Sequence, residues 1–506
     1  MKKTTVAFRA AAVALAAAFA LAACTGPEAA PSADSDLTLS LYMQAPTADL
    51  SVGNFTGGDP TVVFAIYDRL VTQGVDGKIL PSIAESWEAS ENNTVLTFKI
   101  REGQKFSNGE KLDAAAVVAS IEASRVGPAS SAQLGSISSV EAPDASTVVI
   151  RTTTPDAGLI YQLAAPAGLI GAPSLLGSEQ SRLSPIGSGA YVLDKEGTTV
   201  GSSYRLSRNP DYWDVAEYPY ATINISIIAD PTAVQNAMKT GQIDFALLGD
   251  PALATQFPEG EFTTGQSLPA AIGVLMLTDR AGTVVPALAD VRVRQAINLA
   301  IDRDSIAEKL TPGSGVATAQ MVSPVGDAYD PELDDVYSYD VDKAKSLMAE
   351  AGYADGFSVT MPSTVLSTTF DATIAQQLAD IGITVTYETV PFQDLYAKLY
   401  AGAYGMFWFY NGYSGSDAKD ISQVLAGSFN PEASTTPELT ALLDAANAAP
   451  LDEQGAALRA VNKYFVDEAW FAPVNSAAGI WVSSKDVTYT PPVSVGISLL
   501  AYQPAN

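Results

Sequence analysis

Histidine is missing altogether from the 506 residues, and cysteine occurs once, at Cys24. The first absence removes Ser-His-Asp and Cys-His machinery, the usual general base near neutral pH, and the commonest transition-metal ligand. The second rules out an intramolecular disulfide. Together they leave no conventional zinc, copper or haem site, so neither a metal nor another cofactor is expected. Carboxylate chemistry remains open to catalysis, but no carboxylate pair at useful spacing motivates a surface hydrolase, and the chain reads as a non-enzyme. Basic residues are scarce too, 28 against 56 acidic ones, for a formal charge of −28. A surface of that sign repels nucleic acid and anionic headgroups, so neither is expected as a partner. Beyond residue 24 no run of about 18 uninterrupted apolar residues occurs, which excludes a membrane-spanning helix from the mature chain.

What is present begins at the N-terminus. Lys2, Lys3 and Arg9 precede an almost pure Ala/Val/Phe run from Ala10 to Ala20, and Leu21-Ala22-Ala23-Cys24 closes it. That is the layout of a secretory signal. Leu-Ala-Ala-Cys resembles the bacterial lipobox, in which the Cys thiol receives a diacylglyceryl group and becomes the new N-terminus. Residues 1–23 are therefore expected to be a signal peptide. Cys24 would be the lipidation site, and 24–36 a flexible tether holding the protein on the extracytoplasmic face of the cell membrane. Loss of Lys2, Lys3 and Arg9 with the signal takes the formal charge from −28 to −31. We read that charge as solubility rather than as evidence for a cationic ligand. Roughly 470 residues remain, too many for one core, and two or three domains are expected.

Two stretches alternate strand and helix signals. Ile223–Ile228, a helix opened by Pro231 and ended by Gly241, and Ile243–Leu248 read as a βαβ unit. A longer series reads strand 357–361, helix 370–381, strand 383–390, helix 392–400 and strand 406–410, with Gly382 and Gly402 as stops. These predict two α/β lobes with mostly parallel sheets. Between them Asp290, Asp302 and Asp340 stand at helix starts. Residues 61–180 read instead as a smaller α+β domain: a strand at 95–100, a turn at 91–94, a helix capped by Asp113 and a strand at 147–152.

Five segments, in order, resemble the family 5 extracellular solute-binding proteins of ATP-binding-cassette (ABC) importers, the oligopeptide/dipeptide/nickel type. They are Ile83-Ala84-Glu85-Ser86-Trp87-Glu88, Leu96 to Phe106, Pro185-Ile186-Gly187-Ser188-Gly189-Ala190-Tyr191, Arg208-Asn209-Pro210-Asp211-Tyr212-Trp213, and Val291 to Asn298 with Ala300-Ile301-Asp302-Arg303. The resemblance implies an α/β, two-lobe periplasmic-binding-protein-like fold (type II, cluster C) with the additional α+β domain on lobe one. The expected division is lobe one at 37–60, 181–266 and 475–506, the additional domain at 61–180, and lobe two at 267–474. Trp87, Phe98, Phe106 and Trp213 are expected in the core, Arg292 and Arg294 as exposed or paired, and Gly187 and Gly189 as positions needing unusual backbone angles.

Ligands in open α/β sheets bind beyond the carboxyl ends of strands. That rule points to Asn411-Gly412-Tyr413-Ser414-Gly415-Ser416-Asp417 after the 406–410 strand, whose Trp408 and Tyr410 share a face. With Tyr413 they are expected to form an aromatic wall. In peptide-binding members of the family the equivalent loop carries an acidic residue that pairs with the ligand's amino group. Asp417 is the candidate, with Asp420 second. The family's usual Asp-Pro is here Asp417-Ala418, and Lys419 is positioned to neutralise Asp417. Tyr42 and Gln44, after the first strand, and Gly249-Asp250 are further candidates near the hinge. The expected partners are a small-molecule or peptide ligand and ABC permease subunits, with the chain a monomer. An oligosaccharide, an opine-like conjugate or a metal chelate is the alternative ligand.

Overall fold

The computed structural model describes residues 37–505 except 48, 56–58, 200, 250, 451–452 and 495–497. The signal segment, Cys24, the tether and Asp250 lie outside the described residues. Helix starts follow the sequence closely. Asp113, Asp230, Asp290, Asp302 and Asp340 each accept a backbone N–H from the first turn of Ala114–Val126, Pro231–Lys239, Val291–Ala300, Arg303–Leu310 and Val341–Glu350. Each thereby satisfies a donor that the helix leaves open. The turn before Val95–Ile100 uses left-handed backbone at Glu91, Asn92 and Asn93 (φ 52°, 55° and 61°).

Lobe one carries a sheet in the order Thr38–Met43, Thr222–Ile227, Ser203–Arg208, Tyr191–Leu193, parallel only between the first two strands. A second sheet, Phe245–Leu248, Ile480–Ser484, Phe262–Gln266, is antiparallel. Asp244 fastens it to the first strand: its N–H donates to the Ser40 carbonyl and its carboxylate accepts the Ser40 N–H, both at 2.7 Å. The strands on either side of the Pro231 helix therefore both bind Thr38–Met43 and do not pair with each other. Lobe two is built on Gly315–Ala317, Ala472–Ala477, Ala271–Leu277 and Met406–Gly412, antiparallel throughout. Its parallel βαβ pair is confined to Phe357–Ser363 and Ile383–Thr389 with the helix Asp371–Ala379. The expectation of mostly parallel sheets is thus corrected. Alternating strand and helix signals do not say which strands pair, and here the partners come from distant parts of the chain.

The small domain has its own antiparallel sheet, ordered Ala84–Ser90, Val95–Ile100, Thr147–Thr152, Ile137–Asp144. It has its own core too, around Phe98, Phe106, Ile121 and Ile150, with Trp87 packed on it half-buried. Trp213 is also half-buried and lies under the Arg101 guanidinium at 4.0 Å. Arg292 pairs with Asp290, while Arg294 is buried and donates to the carbonyls of Leu288, Glu468 and Ala469.

The motifs at 185–191 and 208–213 converge on one buried carboxylate. Asp68 accepts from Tyr212 Oη at 2.9 Å, Ser188 Oγ at 3.0 Å and Ser82 Oγ at 3.5 Å. Burial still raises it, to about pH 6. Gly187 and Gly189 serve close approach rather than unusual backbone angles. A Cβ there would stand 2.1 Å from the Ile66 carbonyl oxygen and 2.5 Å from that of Ala65.

The chain passes between the lobes twice, from Phe262–Gln266 into Ala271–Leu277 and from Ala472–Ala477 into Ile480–Ser484. The two connectors are bonded to each other, Ser267 N–H to the Gly479 carbonyl at 2.8 Å.

Candidate ligand-binding cleft

Three adjoining cavities form a trough where the lobes meet. One of about 510 Å³ lies at the carboxyl end of the first strand, against Tyr42, Gln44, Asp59, Phe245, Leu247 and Tyr502. A second, of about 350 Å³, has Arg69, Gln73, Tyr161 and Tyr218 on the lobe-one side and Ser414 and Lys419 on the lobe-two side. A third, of about 280 Å³, joins them by sharing Phe245, Leu247 and Tyr502 with the first and Pro492, Ser494 and Ser498 with the second. A wider hollow of about 670 Å³ shares Phe55, Pro166 and Lys419 with the second cavity and reaches Tyr396 and Tyr400. Cavities of this size between domains suit small ligands.

The structure sorts the sequence candidates. Tyr42 and Gln44 do line the trough, with Tyr42 half-buried and Gln44 exposed. Gly249 is exposed and lines none of these cavities. The aromatic wall does not form. Trp408 is 3% exposed and stacks on Phe370 (ring centroids 4.2 Å apart, 16° between planes) inside lobe two. Half-buried Tyr410 packs edge-on against both rings, and burial raises its hydroxyl to about 12. Phe407 and Phe409 fill a second core on the opposite face. Both faces of the strand are therefore covered, which alternation alone does not reveal. Asn411 and Tyr413 are buried and Gly412 pairs with Ala271; none of the three lines the trough.

Asp417 stands behind the wall rather than in it. It opens the helix Asp417–Val424, and its Oδ2 accepts the Ala328 N–H at 2.9 Å. Its buried Oδ1 has no protein partner and sits where a Cβ on Gly326 would come within 2.3 Å. Burial, with Asp420 and Asp327 nearby, raises the carboxyl to about 7 despite the Ala328 N–H. Asp420 is raised by burial to about 6, and its carboxylate accepts the Ser414 N–H at 3.0 Å. Lys419 does not neutralise Asp417. No ion pair joins them, and its electrostatic neighbour is Asp420, which partly offsets the downward push of burial on the ammonium. The loop residues that reach the trough are Ser414 and Lys419. Arg69, Gln73, Tyr161 and Tyr218 are among the cleft residues that sequence reasoning missed. Asp68-Arg69 did carry a signal, as two charges embedded in the apolar run 61–71.

Residues 78–432 match the family described as bacterial extracellular solute-binding proteins, family 5 Middle. The chain belongs to that family. Among the described residues no helix is long and apolar enough to cross a membrane. A putative ABC transporter peptide-binding protein of Brucella ovis is 28% identical over 361 residues, 67% of this chain and 66% of that protein. The glutathione-binding protein GsiB of Escherichia coli K12 is 28% identical over 351 residues, 65% of this chain. This chain spans 66% of the length of each of these relatives. NikA from Brucella suis, solved in complex with Fe(III)-EDTA, matches with a TM-score of 0.78 at 24% identity over 93% of this chain and 100% of its own. That match establishes the α/β periplasmic-binding-protein fold of the cluster C type.

Proposed function

We propose that this protein captures a short peptide reversibly in the interlobe trough and delivers it to the permease of an ABC importer, acting as a monomer tethered by a lipid on Cys24. The observation that carries the reading is the trough itself, a run of three cavities that starts on lobe one and continues between the lobes of a solute-binding fold. Relatives named for peptide and glutathione binding support a peptide as the solute. Specificity would come from backbone hydrogen bonds and aromatic packing, and affinity from closure that excludes water. Tyr42 and Gln44 would meet the ligand directly, while Asp417, one layer back, would act on it only through Tyr161 and the loop. Lobe one would comprise 37–60, 181–266 and 475–506, lobe two 267–474, and 61–180 the additional domain.

A thermal-shift screen of the purified protein tests this. A peptide at 100 times its dissociation constant should stabilise the fold by about 2.7 kcal/mol. Stabilisation by short peptides is the expected result. Stabilisation only by metal chelates, opine-like conjugates or oligosaccharides would keep solute capture and discard the peptide. Replacing Cys24 with Ser should release the protein from the membrane fraction.

A further inference from the structure

The second cavity, the one lined by Arg69 and Lys419, has a charge pattern unlike the rest of the chain. Acidic residues outnumber basic ones two to one in this sequence, 56 to 28, yet among the described residues no Asp or Glu lines that cavity, while one Arg and one Lys do. Arg69 comes from the additional domain, on the lobe-one side of the trough. Its guanidinium lies 3.9 Å over the Phe64 ring, and Nη2 donates to Thr72 Oγ1 at 2.7 Å. Nε and Nη1 are buried with no protein acceptor. A guanidinium out of water with two of its three nitrogens unanswered is costly, and its planar fork matches a carboxylate. The neighbouring Asp68 attracts the guanidinium but makes no hydrogen bond to it, its carboxylate being held by Tyr212, Ser188 and Ser82. The same network fixes the turn from which Arg69 projects. From lobe two, Lys419 reaches the same cavity without an ion-pair partner, beside Ser414, whose buried Oγ is also unpartnered. The lobes already touch here, since a Cβ on Gly415 would fall 1.8 Å from Gln73 Nε2.

We propose that Arg69 and Lys419, one from each side of the trough, form a subsite for a carboxylate of the captured solute, with Ser414 and Gln73 as neutral donors beside it. The proposal rests on the reading of the trough as the solute site. It assigns the 413–419 loop the opposite charge preference from the one its acidic residues suggest: those carboxylates support the loop from behind, and the surface presented to the ligand is cationic. Closing the lobes brings Lys419 toward a carboxylate already seated on Arg69, so an anionic group would favour the closed state.

Calorimetric titration with trialanine, trialanine amide and, as a carboxylate without a peptide, succinate tests the subsite. The variants are Arg69→Gln, Arg69→Lys and Lys419→Gln. The expected result is that the free acid binds at least 10-fold more tightly than the amide. Arg69→Gln and Lys419→Gln should each abolish that preference, and Arg69→Lys should restore part of it. Equal binding of acid and amide by the unmodified protein would overturn the subsite while leaving solute capture intact. If neither peptide binds but succinate does, and Arg69→Gln removes that binding, the peptide assignment falls and the subsite stands. If succinate and both peptides all fail to bind, or bind the variants unchanged, the subsite is wrong. Should Arg69→Gln not fold, Lys419→Gln on the other lobe decides the same question.

Discussion

Two four-stranded antiparallel sheets in this molecule meet their surroundings differently. In the small domain, Val95–Ile100 and its neighbours turn Phe98, Ile100 and Ile150 inward and show Glu88, Lys99 and Arg151 to water. In lobe two, Met406 to Phe409 and Val274 to Leu277 are buried without a break, because the sheet lies between two separate cores. A period of two in the sequence says which residues share a face, but not whether that face meets solvent. Only a continuous apolar run signals a strand covered on both sides. Phe407-Trp408-Phe409-Tyr410 is such a run. Treating one of its faces as open made an aromatic wall out of core residues.

Substitutions can break or sharpen this contrast. The largest effects should come from Phe407→Ala and Trp408→Ala, which lie on opposite faces of one strand and should each cost ~3–5 kcal/mol in denaturant-induced unfolding. A small loss at either would mean that its face is not sealed. Next comes Asp417→Asn, in the loop behind the same strand. The Asp417 carboxyl is raised to about 7 by burial, with Asp420, Asp327, Tyr161 and Tyr413 around it. The folded state therefore holds a proton that the unfolded chain has released, and the native protein should lose stability as pH rises from about 4 to about 7, then level off. The Asn variant should show a shallower slope, the remainder coming from Asp68 and Asp420, and gain on the order of 2 kcal/mol at neutral pH. Parallel stability–pH curves for the two proteins would refute the buried, uncompensated charge.

Smaller again is Asn93→Gly, at the turn of the small domain. Asn93 Nδ2 donates to the Asn447 and Ala449 carbonyls at 3.0 and 2.7 Å, joining the small domain to lobe two. Glycine keeps the backbone at φ 61° and removes only this link, so a loss of about 1 kcal/mol is expected, with faster hydrogen exchange at the end of Pro437–Ala448. Lys99→Ala, on the wet face of the small sheet, should stay within about 0.5 kcal/mol. A larger loss there would erase the contrast.

The legible parts of this fold are the local ones. An Asp before a helix satisfies a donor within three residues, so Asp113, Asp290, Asp302 and Asp340 could be read from sequence alone. The strands at 95–100 and 147–152 could likewise be read, but not their pairing with each other, which spans about 50 residues. Lobe two was less legible, since Met406–Gly412 pairs with Ala271–Leu277 and nothing local records that choice. The end of the first strand pointed to Tyr42 and Gln44, which line one of the cavities. Arg69 was passed over because the residues around it are core. Its role depends on which groups fail to answer it, and sequence does not record a missing acceptor.

The two connectors between the lobes carry a mechanical consequence. Because Ser267 and Gly479 are bonded across them, they act as one narrow ribbon rather than as two independent strings. A ribbon flexes out of its plane and resists sliding within it, which leaves the lobes essentially one axis about which to swing. In the proposed capture cycle each stroke along that axis would return Lys419 to the same station across the cavity from Arg69, so the hinge rather than the ligand would set the alignment of the two cations.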